Sequence, residues 1–400
     1  MKKFEKVATN INNPKWNNIL KREQDLYRRE NDIRSEFERD YTRIIHSTAY
    51  RRLKHKTQVF FSPNNDHICT RIEHVTHVES ISYTIANYLG LNTELTKAIS
   101  VAHDLGHSPF GHEGERILSS ISQKALHTTF WHEKNGLNIV DNIETLENSE
   151  KFKENLNLTY GVRDGIISHC GEIDENGLKP RDEFIDLNKY EHPNQYAPYT
   201  WEACVVKVAD KISYIGRDIE DAITVGILDE HLEELKDLLK DSKNAKINNT
   251  IIINYLVNDL CENSSIEKGL CFSEEAFELM NKIKRFNYLN IYTSERIKPS
   301  VRYFNLVINE IYETLKKCYD GKNTINKLKE LSKRAEKLSK GFIGYVYTYY
   351  DYGNREELRL KNKIIYDLNS EIDYYRCIIS YISGMTDNFA REIYEEIIGF

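Results

Sequence analysis

Four hundred residues, 40% hydrophobic and 29% charged, suffice for one large or two modest globular domains and exclude a wholly disordered chain. A formal charge of −7 disfavours a duplex-binding protein with a basic surface, so an anionic partner has to be met by local cations. Seven scattered cysteines without a Cys-x-x-Cys pair argue against a disulfide framework or a thiolate zinc site, and the lack of a signal-peptide core or a run of eighteen apolar residues predicts a cytoplasmic chain outside the membrane.

Only seven prolines occur, the last at Pro299, which leaves long stretches open to helix and predicts an all-α fold. Residues 1–33 read as a polar N-terminal arm, helix-like around NNILKREQDLYRREND. Residues 34–226 read as the core, and 227–400 as a C-terminal helical extension packed on it. The core opens with RSEFERDYTRIIHSTAYRRLKHKTQVFF, where Ile45, Ala49 and Arg52 share a helical face. A guanidinium on such a face points inward and needs an anion, so Arg52 is a candidate phosphate contact.

From His74 the apolar residues Val78, Ile81, Ile85 and Tyr88 recur at helical spacing, which puts His74 at the head of a core-facing stripe. Asn92-Thr93 can cap the next helix, in which Leu95, Ala98, Ile99 and Ala102 form a second stripe running into His103 and Asp104. A buried Asp beside a His needs a cation or strong donors to stay ionised, and together they favour a metal. Gly106, Pro109 and Gly111 break the helix and predict a loop displaying His107, His112 and Glu115. Further on, FWHEKNGLNIVD carries His132 and Glu133, and LTYGVRDGIISHCG reads as a short helix ending at His169. Residues 172–200 form a polar, proline-bearing loop with the length of a lid or a partner contact. WEACVVKVADKISYIGRDIEDAI is a strong helix with Asp210 in the apolar stripe of Val206, Ala209 and Ser213. Past Gly226 the helical period persists without chemical motifs. The run 322–340 has seven basic residues against two acidic ones, usually a solvated face and less often a nucleic-acid contact.

His74, His103, Asp104 and Asp210 offer two imidazole nitrogens and two carboxylates, a set that suits a divalent ion such as Mn, Mg, Fe, Co or Zn and leaves positions open for water or phosphate. In the order H…HD…D these residues resemble the HD-domain metallophosphohydrolases. FERDYTRIIHSTAYRRLKHKTQVF, TRIEH, AHDLGHSPFGHEGE and VADKISYIGRD narrow the resemblance to the deoxynucleoside triphosphate triphosphohydrolases, similar to bacterial dGTPases, over roughly Arg34 to Gly226.

The resemblance implies hydrolysis of dNTP, dGTP first among them, to deoxynucleoside and inorganic triphosphate, on a helical HD-domain fold that forms homo-oligomers. It further implies that Arg71 and Lys211 hold the α-phosphate, that His112 and His132 lie at the reacting phosphate with one of them protonating the departing 5′ oxygen, that Gln58 and Asp218 contact the sugar 3′-hydroxyl, and that Tyr214 packs on the deoxyribose. Three positions depart from many bacterial members: His77 stands where they have Glu, Thr42 where they have Asp, and Glu133 where they have Asn. Trp131-His132-Glu133 instead resembles the vertebrate SAM-and-HD-domain dNTPases. The competing readings are another HD phosphohydrolase, a 5′-nucleotidase or cyclic-nucleotide phosphodiesterase, and a nucleotide-sensing or single-stranded nucleic-acid-binding scaffold on the same fold.

Overall fold

Helices make up nearly all the regular structure, and the one sheet among the described residues is a two-stranded antiparallel ribbon that pairs Thr145–Glu147 with Lys153–Asn155. The fold is all-α, as the scarcity of proline predicts. The computed structural model describes residues 2–26, 31–61, 65, 67–170, 176–240 and 249–399. By contact the chain divides into two units that interleave along the sequence. Met1–Thr42, Ser62–His103 and Leu158–Pro299 form the first, and Arg43–Phe61, Asp104–Asn157 and Ser300–Phe400 the second.

In the first unit the Arg71–Leu89 helix starts at a capping box, with Glu73 Oε2 accepting from the Thr70 N–H at 2.7 Å, and stops at Gly90, whose φ of 87° favours glycine. Val78, Ile81 and Ile85 are buried as their spacing predicts. Tyr88 is not: it is 54% exposed, and Leu89, four residues past Ile85, continues the stripe instead. The Thr93–Ala102 helix is capped by Asn92, whose Oδ1 accepts from the Glu94 and Leu95 N–H groups at 3.0 Å each. Leu95, Ala98, Ile99 and Ala102 are all fully buried, each leucine or isoleucine contributing about 1.5–3 kcal/mol relative to exposure. The Trp201–Thr224 helix packs on both, backed by Asn249–Asn263 and Glu274–Asn287.

Two expectations for this unit change. The N-terminal residues are packed rather than an arm: Phe4 is buried edge-on to Trp201 at 4.9 Å, and Thr9 donates its N–H and hydroxyl to the Glu202 carboxylate at 2.9 and 2.8 Å. Among the described residues there only Trp16–Ile19 is helical, and residues 27–30 of the expected helix lie outside them. The described part of the 172–200 loop, 176–200, is likewise pinned. Tyr190 is fully buried, the Arg181 guanidinium pairs with buried Asp164, and the Tyr199 N–H donates to the same carboxylate at 2.7 Å.

In the second unit the basic helix expected to run from Arg34 toward Lys56 is cut at Ser47, whose extended backbone caps a new helix, Thr48–Arg52, by accepting from the Tyr50 N–H. The break shifts the phase, so Ile44 is buried and Ile45 only partly so. The core comes from Gly111–Leu126, Lys298–Lys316, Glu336–Tyr349, Glu371–Ser383 and Asp387–Ile398, meeting at Leu118, Ile308, Phe342, Tyr374, Ile378 and Ile393. No helix among the described residues is long and apolar enough to cross a membrane.

Candidate active site

The first unit gathers His74, His103 and Asp210 from three helices. His74 lies in the first turn of Arg71–Leu89, His103 directly follows Thr93–Ala102, and Asp210 lies midway along Trp201–Thr224. His74 Nε2 is 2.9 Å and His103 Nε2 3.8 Å from Asp210 Oδ1, and one donor atom from each of the three falls within 4.8 Å of the others. Both imidazoles are buried. The tautomer of His103 follows from its other nitrogen, which lies 2.7 Å from the Ser100 carbonyl oxygen, a contact that requires a proton on Nδ1. That leaves Nε2 as the ring nitrogen turned toward Asp210, and two imidazoles with a carboxylate whose donor atoms lie this close fit a divalent ion.

The same unit holds two residues that sequence reasoning had passed over. His169, read only as a helix end, is buried with its ring centroid 5.1 Å from that of His103 and its Nδ1 2.6 Å from the Ile166 carbonyl oxygen. The available signal was a histidine two residues after the apolar run Gly165-Ile166-Ile167. Tyr292 was also unforeseen: its hydroxyl donates to Asp218, and burial together with that carboxylate holds the phenol well above its ordinary pKa. Arg71, Lys211 and Asp218 are buried and Tyr214 is partly so. His77 joins no donor group among the described residues, and burial, followed by nearby Arg217, lowers its pKa.

The second unit holds the other imidazoles. Asp104 follows His103 in the chain, and its carboxylate meets His107 Nε2 at 3.0 Å. Gly106 allows this turn to settle on the start of the His132–Asn138 helix, since a Cβ there would stand 1.9 Å from the His132 carbonyl oxygen. His107 and His132 stack as a result, centroids 3.8 Å apart. Glu115 binds His132 twice, accepting from its N–H at 3.1 Å and lying 2.9 Å from its Nδ1, and stands 3.8 Å from His112 Nδ1. Burial alone would lower the His132 pKa, but Glu133 and Glu115 push it up to about 9. Glu115 responds in the opposite sense: burial would raise it, yet His132 and His112 hold it well below the carboxylate range. His107, His112, Glu115 and His132 bring four donor atoms within 4.8 Å.

His112 and Glu115 do not ride on a loop as their glycine-rich context suggested. They occupy the first turns of the Gly111–Leu126 helix, which begins after Phe110 in the left-handed region at φ 63°. Only His107 is on the connecting turn. His112 is the most open of the set, with 71% of its side chain exposed. Gln58 is buried. Arg52 finds its anion within the protein, at 2.8 Å from Glu144. That pair borders a cavity of about 530 Å³ lined also by Tyr345, Tyr349, Ser380 and Tyr381, and by none of the clustered histidines.

Comparison with known proteins agrees with these features. The HD domain matches residues 71–215, which span His74, His103, Asp104 and Asp210. HD domains are metal-dependent, and the His/Asp groups described above can hold a divalent ion. The chain is 34% identical to a deoxyguanosinetriphosphate triphosphohydrolase-like protein of Caldanaerobacter subterraneus over 368 residues, 92% of this chain and 86% of that one. It is 32% identical to a protein of the same description from Rickettsia bellii over 390 residues, covering 94% and 96% of the two chains.

Proposed function

The chain belongs to the HD-domain, deoxyguanosinetriphosphate triphosphohydrolase-like family of metal-dependent phosphohydrolases, and on that premise we propose that it hydrolyses deoxynucleoside triphosphates, dGTP first among them, to deoxynucleoside and inorganic triphosphate. The observation that carries the reading is the convergence of His74 Nε2, at 2.9 Å, and His103 Nε2, at 3.8 Å, on one oxygen of Asp210. His74, His103 and Asp210, joined through the chain by Asp104, would hold the ion. When bound there, a divalent ion would supply Lewis acidity toward a phosphoryl oxygen and toward an attacking water.

The remaining work falls to the chain's own side chains. Arg71 and Lys211 offset the charge of the triphosphate and orient its α-phosphate. His112, open to solvent and steadied by Glu115, gives its proton to the departing 5′ oxygen, while His132, gripped by Glu115, contacts the reacting phosphate. His107, stacked on His132 and paired with Asp104, fixes the orientation of that ring. Gln58 and Asp218 hold the 3′-hydroxyl, and Tyr214 covers the 2′ carbon. Arg52, whose guanidinium is paired with Glu144, has no phosphate role in this reading.

The test is product identity. Purified protein is incubated with Mn²⁺ or Mg²⁺ and each dNTP, and the products are resolved. Deoxynucleoside with inorganic triphosphate is expected, whereas deoxynucleoside monophosphate with pyrophosphate, or no turnover with any ion, would sink the assignment.

A further inference from the structure

Asp387, the first residue of the Asp387–Ile398 helix, is buried in the second unit far along the chain from every residue given a role above. Its two carboxylate oxygens are engaged separately. Oδ2 accepts from the Thr57 N–H at 2.8 Å and Oδ1 from the Phe110 N–H at 2.8 Å. One carboxylate thus joins two loops that are 53 positions apart in sequence. Thr57 precedes Gln58. Phe110 ends the His107–Phe110 turn and launches the helix that carries His112 and Glu115.

The turn needs such a tie. Phe110 sits at φ 63°, where a residue with a Cβ is disfavoured by roughly 1–2 kcal/mol. Its ring is clamped between Phe304, stacked at 4.4 Å, and Phe61, edge-on at 5.5 Å. Gly114 allows the turn to fold back on the helix, since a Cβ there would meet the Pro109 carbonyl oxygen at 1.8 Å. The same two loops are joined a second time through Lys56, whose ammonium donates to the His107 carbonyl oxygen and, at 3.0 Å, to that of Ser383. The Asn135 amide donates to the Gly106 carbonyl oxygen at 2.7 Å and lies 3.2 Å from the Ser383 hydroxyl. Ser383 and Asp387 thus bracket a C-terminal turn to which both loops are fastened. Charge-assisted bonds to backbone N–H groups are among the stronger tethers available in a buried site.

Resting on the function proposed above, we infer that Asp387 is a positioning residue that sets the distance between the 3′-hydroxyl contact Gln58 and the imidazoles His107 and His112. Asp387→Asn keeps the shape but turns an amide N–H₂ toward one of the two backbone N–H donors, so one tie is lost. Both loops then loosen against each other while the metal residues are untouched.

The experiment measures kcat and KM of wild type, Asp387→Asn and Thr386→Ala on a dNTP and its 2′,3′-dideoxy counterpart. Thr386→Ala removes the cap of the same helix, which accepts from the Phe389 N–H, without touching the bridge, and so controls for general loosening. Asp387→Asn is expected to lower kcat on the dNTP by about 10- to 100-fold, the usual cost of losing an orienting contact. It should also shrink the dNTP/dideoxy ratio of kcat/KM toward one, because the 3′ contact is no longer in register with the proton donor. Thr386→Ala should leave that ratio as in wild type. Hydrogen exchange at the Thr57 and Phe110 amides should accelerate in Asp387→Asn alone. An active wild type whose ratio and amide protection survive in Asp387→Asn overturns the positioning role by itself. A wild type inactive on every dNTP overturns the functional reading and this role with it.

Discussion

His107 and His132 stack face to face, ring centroids 3.8 Å apart and planes 18° from parallel. Carboxylates stand on both sides of the stack, Asp104 at His107 and Glu115 with Glu133 at His132. Two imidazoles in van der Waals contact repel once both are protonated, so the flanking carboxylates decide how much charge the stack carries.

Removing Glu115 should therefore change how stability depends on pH. The His132 pKa is raised from 6.5 to about 9 in the folded chain, so its pairing stabilises fully below pH 6.5 and fades as pH rises through about 9. Melting curves of metal-free wild type and Glu115→Gln should differ most between about pH 5 and 6.5 and converge above about pH 9. A gap that widens with pH would refute the pairing.

His103→Ala and Asp104→Ala should lose bound metal and activity together while far-ultraviolet circular dichroism keeps its helical shape, because each deletes a donor and few packing contacts. Metal content of the purified variants decides it. Stoichiometric metal with wild-type turnover in either variant would remove that residue from the ligand set.

His112→Ala should lower kcat by about 10²- to 10⁴-fold with little change in KM, since a proton donor acts in the transition state whereas affinity comes from the ion and the cationic side chains. Its 71% exposed side chain makes a folding defect a poor alternative explanation. A loss confined to KM would move the proton-donor role to His132.

Ribonucleoside triphosphates should be poor substrates. If Tyr214 covers the 2′ carbon as proposed, an added oxygen collides with the ring or is buried without a partner. Turnover of GTP against dGTP reads this contact, and equal rates would refute it. Tyr292→Phe should raise KM for dNTP several-fold by freeing the Asp218 carboxylate from its fixed direction, since that carboxylate accepts from the Tyr292 hydroxyl. An unchanged KM would place Asp218 away from the sugar.

Local chemistry made much of this architecture legible in the sequence. Helical spacing gave the buried stripes of Val78, Ile81 and Ile85 and of Leu95, Ala98, Ile99 and Ala102, and Asn92 marked its helix start, because each depends on neighbours within a turn or two. His74, His103 and Asp210 were singled out by the same logic, each standing in or at the end of an apolar stripe. Tyr88 escaped because a stripe of 3.6 residues per turn drifts, and the helix end lets Leu89 take the inward position. Ser47 split a helix whose composition looked continuous, and Phe110 entered the left-handed region without a glycine to announce it. The partners of Arg52 and Asp218, namely Glu144 and Tyr292, are 92 and 74 residues away, and a single sequence carries no measure of such distances.

The interleaving of the two units also sets an order of assembly on the ribosome. By the time Asp210 has been synthesised, every histidine and carboxylate assigned to the ion has been made, yet the helices Asn249–Asn263 and Glu274–Asn287 that back the Asp210 helix are still to come. The other unit waits longer, since its imidazoles are complete at His132 while most of its core lies beyond Ser300. At roughly 5–20 residues per second the nascent chain spends many seconds with those apolar faces uncovered. Chaperone engagement during synthesis, and aggregation of products truncated before the Asp387–Ile398 helix, are therefore expected of a site whose supporting walls are translated last.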